Sequence, residues 1–160
     1  MKSVLRLFSA ALLALSFVGC SKNETAVAAT PAAKHEHHPP HGGTPVVLGR
    51  EAFHLELVRD AAAGRLTAYV LDGEMENFVR VKAASFEVVA SGGAEKRVLT
   101  FRAVANPATG ETVGDCAQFE ASATWLKTEA TFDATLTSLE IRGTTFAAVA
   151  FNFPKGNDRD

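Results

Sequence analysis

The chain has little of what staples small secreted folds together: two cysteines, Cys20 and Cys116, in 160 residues. A chain of this length can bury a core without a disulfide framework. Charge of one sign is also scarce. Sixteen basic residues stand against eighteen acidic ones, a net −2, with no basic patch to release counterions, so nucleic acid is excluded as a partner. No apolar run suits a membrane span: Leu7 to Val18 is well short of the roughly 20 residues that cross a bilayer. Signatures of catalysis are missing too. His35-Glu36-His37-His38 is not a helical H-E-x-x-H array, because Pro39 stands where the second histidine belongs and opposes the helix. Gly42-Gly43 and Gly92-Gly93 lack the other glycines and the lysine of a phosphate loop. No G-x-S-x-G elbow offers a nucleophile to His54 as base. A non-enzyme is expected.

What is present begins with a secretory signal. Met1 to Arg6 form a short basic region, Leu7 to Val18 an apolar one without acidic residues, and Gly19 precedes Cys20. Ser16-Phe17-Val18-Gly19-Cys20 resembles the lipobox of bacterial lipoproteins, with Phe17 where that family usually has leucine. The resemblance implies cleavage of residues 1–19, acyl chains (palmitate among them) on Cys20, and a membrane anchor from methylene burial. Ser21 after the cysteine implies sorting to the outer membrane, facing the periplasm, rather than retention at the inner one. Without Lys2 and Arg6 the mature balance is 14 basic against 18 acidic residues, a net −4. Cys116 is then a lone thiol, expected as a small buried hydrophobe.

The densest chemistry follows. Four of five histidines, His35, His37, His38 and His41, lie in one seven-residue stretch that runs into Gly42-Gly43. Neutral imidazole is the commonest metal-binding side chain, and such density collects borderline ions, here zinc or copper(II). Residues 20–44 carry almost no bulky aliphatics and are expected as a flexible tether.

From Pro45 the pattern changes to short β-prone runs between turn residues. Strands are predicted at Pro45–Leu48, Phe53–Leu57, Leu66–Leu71, Phe78–Val81, Ser85–Val89, Arg97–Val104, Cys116–Ala121, Thr135–Ile141 and Phe146–Phe153, with a helical turn over Ser122–Lys127 capped by Ser122. Trp125, Phe132, Phe151 and Phe153 are predicted core. Spacing of roughly 8–12 residues, without βαβ alternation, predicts an all-β, antiparallel, immunoglobulin-like β-sandwich over residues 45–157.

In Phe53-His54-Leu55-Glu56-Leu57 the alternation puts His54 and Glu56 on one face, about 6–7 Å apart along the strand. Gly42-Gly43 lets the backbone bend so that His41 approaches them. An ordered site of His41, His54 and Glu56 is therefore expected, fed by His35, His37 and His38, with water or a tether histidine completing a zinc shell.

Several words carry a further resemblance: Pro40-His41-Gly42-Gly43, Gly49, His54-Leu55-Glu56-Leu57-Val58, Gly64-Arg65-Leu66, Tyr69-Val70-Leu71-Asp72, and later Phe119-Glu120-Ala121-Ser122 and Leu139-Glu140-Ile141-Arg142-Gly143. They resemble small bacterial periplasmic lipoproteins, and a segment of periplasmic adaptor subunits of resistance-nodulation-division heavy-metal efflux pumps. The resemblance implies a metal-associated envelope protein without a defined reaction. The expected function is thus metal binding or buffering by a lipid-anchored protein. The alternative is an interaction module that docks on an efflux or envelope assembly, with the tether as a spacer.

Overall fold

The computed structural model describes residues 37–92 and 95–158. The signal peptide, Cys20, His35 and Glu36 lie outside them. Eight strands follow in chain order: β1 (Thr44–Leu48), β2 (Phe53–Asp60), β3 (Arg65–Asp72), β4 (Ser85–Gly92), β5 (Glu95–Ala103), β6 (Gln118–Ser122), β7 (Phe132–Ile141) and β8 (Thr144–Phe153). All pair antiparallel in one sheet of order β1-β2-β3-β6-β5-β4-β7-β8, rolled into a nearly closed, barrel-like sandwich.

Alternation decides which side chains go inside. Val46, Leu55 and Val70 stand opposite one another across β1, β2 and β3, as do Leu57 and Ala68, and all are buried. Each such leucine contributes about 1.5–3 kcal/mol by leaving water. Aromatic pairs add to this core. Phe86 stacks on Phe101 with centroids 4.9 Å apart, Phe132 stacks on Phe153 at 5.2 Å, and Trp125 meets Phe132 edge-on at 5.1 Å. Phe132, Phe151 and Phe153 are core as expected, whereas Trp125 is half-buried, its face covered by the Arg97 guanidinium 4.0 Å away.

The two outer strands meet through side chains rather than a ladder. Asn157 accepts from Val47 N–H at 2.7 Å and donates to the Val47 carbonyl at 3.2 Å, so one amide stands in for a strand residue on the β1 edge. Gly156 lies against β1 so closely that a Cβ would overlap the Pro45 carbonyl oxygen.

Two local expectations are corrected. Phe78–Val81 is not a strand: Val79 N–H bonds to Val70 O at 2.8 Å and Val81 N–H to Cys116 O at 2.9 Å, so its hydrogen bonds go to two different chain segments and no ladder forms. The turn after β6 is a 3₁₀ turn over Thr124–Lys127 with Ala123 at its N-cap and no side-chain cap, Ser122 being the last residue of β6. Arg59 holds it from the other end, donating to the Leu126 carbonyl at 2.7 Å and the Lys127 carbonyl at 3.2 Å.

The last part of the expected tether, residues 37–43, is corrected as well. From His37 onward the chain is docked over the outer side of β2, and the reason is a carboxylate.

Candidate metal centre

Glu56 is 0% exposed although it faces away from the main core. A buried carboxylate needs donors, and the segment before β1 supplies them. Its Oε1 accepts from His41 N–H at 2.7 Å and Gly43 N–H at 2.9 Å, while Oε2 accepts from His41 Nδ1 at 2.8 Å. Gly43 is required by the close approach: a Cβ there would stand 2.7 Å from Leu57 O and 2.8 Å from Glu56 Cγ. The His41 ring then lies flat on Tyr69, centroids 3.9 Å apart, because Tyr69 is the β3 residue directly opposite Glu56. Burial raises the Tyr69 pKa, and the Glu56 charge adds to the rise, so its phenol stays protonated.

His54, one pleat along β2, is also 0% exposed. It stands opposite Val47 on β1 and Leu71 on β3. Its Nδ1 lies 3.3 Å from the Asp72 carbonyl oxygen. A carbonyl only accepts, so Nδ1 carries the proton and a neutral ring leaves Nε2 as a bare lone pair. Desolvation holds the His54 pKa below 6.5 and favours that neutral form. Nε2 is buried with no hydrogen-bond partner. Against it lies His37, ring centroids 4.6 Å apart and planes tilted by 50°, whose own Nε2 is likewise buried and unpartnered. Unpartnered imidazole nitrogens on two adjoining rings cost free energy that a bound cation would recover.

The trio expected from the sequence is divided. His54 and Glu56 share a face of β2, but both are covered rather than solvated, and Glu56 goes with His41 while His54 goes with His37. Among the described residues no three of the His, Cys, Asp and Glu side chains converge closely enough to hold one ion. His38 is exposed, and His35 lies outside the described residues. Cys116 is buried with its thiol pushed up by burial and then by Glu111, and Sγ lies 3.6 Å from the Gln118 carbonyl.

Sequence reasoning missed the turn that orients His54. Asp72 caps it with its side chain, accepting from Glu76 N–H at 2.9 Å, Asn77 N–H at 3.2 Å and Asn77 Nδ2 at 2.7 Å, while its backbone carbonyl is shared by the Met75 amide and His54. The turn signal Asp72-Gly73 was readable; its hold on a histidine eighteen residues earlier was not. Beside this turn lies a cleft of about 520 Å³ lined by His41, Tyr69, the half-exposed Phe78, Arg80 and Glu111 among others. No protein-family model, curated protein or solved structure matches the chain.

Proposed function

We propose that the chain is a non-enzymatic periplasmic lipoprotein, anchored through Cys20 to the outer membrane, that binds or buffers a transition-metal ion, zinc or copper. The observation that carries this reading is the His37–His54 pair: His54 has its Nδ1 fixed by a backbone carbonyl and its Nε2 bare and unpartnered, the arrangement in which outer-shell hydrogen bonds orient metal-ligating histidines. His41 shows the same logic with a carboxylate behind Nδ1. The dense imidazoles of residues 35–41 then serve as a loose collecting arm. The likeness of the Pro40–Gly43 and His54–Val58 words to metal-efflux adaptor segments points to the same class.

Calorimetric titration with zinc and copper(II) tests it. His54→Ala is expected to weaken the tightest site at least about tenfold, some 1.4 kcal/mol, whereas His35→Ala with His38→Ala removes only weak binding. A tightest site that survives His54→Ala and disappears with His35 and His38 makes the arm the sole chelator and overturns the ordered centre.

The second reading, a docking module on an efflux or envelope assembly, is favoured by one observation, the 51% exposure of Phe78 at the mouth of the cleft. Phe78→Ser separates the two, since it should spare metal binding and abolish docking.

A further inference from the structure

The unpartnered nitrogens of His37 and His54 define a donor set that is neutral and short of ligands. Zinc in a stable protein site takes at least three protein ligands, usually from His, Cys, Asp and Glu. No three of these converge among the described residues. Charge argues the same way. Two neutral imidazoles bring no negative charge, and the nearest buried carboxylate, Glu56, is already engaged by two amides and His41. Glu51 and Asp158 act on His54 only through their fields, and both are exposed. The cost of burying an ion grows with the square of its charge, so a monovalent ion suits this pocket better than a divalent one.

A soft donor is carried by the turn that pins His54. Met75 is the chain's one methionine besides Met1. It is 2% exposed yet outside the main core cluster, and its amide bonds to the Asp72 carbonyl at 3.2 Å, the same oxygen that lies 3.3 Å from His54 Nδ1. Its φ is +58°, a left-handed conformation that glycine would adopt at no cost.

We infer that this centre, on the metal-binding reading above, is built for a soft closed-shell monovalent ion, copper(I) with silver(I) as its analogue, held by Nε2 of His37, Nε2 of His54 and the thioether of Met75. Thioether and imidazole together select copper(I) over zinc, which finds neither its charge compensation nor its tetrahedral shell here. The pinned Nδ1 of His54 supplies the rigid half of the site. His37, arriving on the docked segment, supplies the half that lets the ion in.

The test uses the mature chain under anaerobic conditions, with copper(I) delivered against a chromophoric chelator, silver(I) in parallel and zinc as the comparison. One copper(I) per chain is expected; Met75→Leu should weaken it at least about tenfold and leave zinc unchanged, and His54→Ala should abolish it. Selenomethionine labelling removes any question of folding, because in the mature chain it places selenium at position 75 alone: X-ray absorption at the copper edge should then show a selenium neighbour. A copper(I) site without one, or with full affinity in Met75→Leu, overturns the three-donor site while the metal-binding reading stands. Zinc bound more tightly than copper(I) through His54 overturns the monovalent preference and again spares that reading. An ion bound only by the tether histidines overturns the His54 centre, and a chain that binds no ion at all overturns the metal-binding reading as well.

Discussion

At the scale of single residues, the sheet's two-residue period made half of the site legible. His54 and Glu56 share a face in the structure as in the sequence, because nothing in an eight-residue strand breaks the alternation. What covers them was not legible. Period 2 says which side a residue faces and nothing about what lies over that side, and Glu56 is satisfied by amides thirteen and fifteen residues earlier. Met75 sits in a turn, where no periodicity exists to single it out. Glu56→Ala tests the carboxylate's part: with three donors left unsatisfied, stability should fall by about 2–4 kcal/mol in denaturant titration, and an unchanged midpoint would mean that the docked segment is not held by Glu56. Cys116 gives a second check. With the thiol buried and its pKa raised, a thiol reagent at neutral pH should react only as fast as the protein opens, and rapid labelling of the folded chain would contradict the buried placement.

Among the elements, strands bounded by turn residues were readable to within a few positions, since each needs only its local pattern. Phe78–Val81 was misread because its composition is β-prone while its partners are split between Val70 and Cys116, a tertiary fact that sequence does not carry. The docked segment before β1 is held by geometry at one glycine. Gly43→Ala would push a methyl into Leu57 O and the Glu56 side chain, so the segment should lift. Amide exchange at His41 and Gly43 should accelerate at least tenfold, while the β4–β5 hairpin keeps its protection. The Arg97–Glu129 pair makes a pH-dependent element. Its hydrogen bonds, 2.6 and 2.5 Å, hold the Glu129 pKa below 4.5 and keep the guanidinium over Trp125. A depressed carboxylate pKa means that the stabilisation is present above 4.5 and is lost as pH falls through the folded value. Fluorescence of Trp125, the sole tryptophan, should therefore change on acidification below that point in the native chain but not in Glu129→Gln.

For the whole molecule, an all-β antiparallel sandwich was expected and is found, but the single rolled sheet with β1 and β8 at its ends was not foreseen. Strand order depends on pairings between distant segments, such as Arg65 with Ser122 and Val88 with Leu136, and closure rests on Asn157, which lies 110 residues from Val47 and which no pattern marks. Removing that amide leaves the half-buried N–H and C=O of Val47 without partners, so Asn157→Ala should cost about 1–3 kcal/mol, read as a lowered denaturation midpoint with an unchanged slope. The fold then serves the site in a simple way. A closed core leaves the outer side of β2 free to carry polar residues, and the segment from His37 to Gly43 covers them.

The central claim is that His54 offers a bare Nε2 to a metal while Asp72 holds its other nitrogen. Nitrogen-15 spectra of the histidine rings, recorded as silver(I) or zinc is added, read each nitrogen separately. The expected result is a shift of His54 Nε2 at one equivalent, with Nδ1 still protonated and bonded to the carbonyl. A His54 ring that stays unchanged while only the exposed tether histidines shift would contradict it.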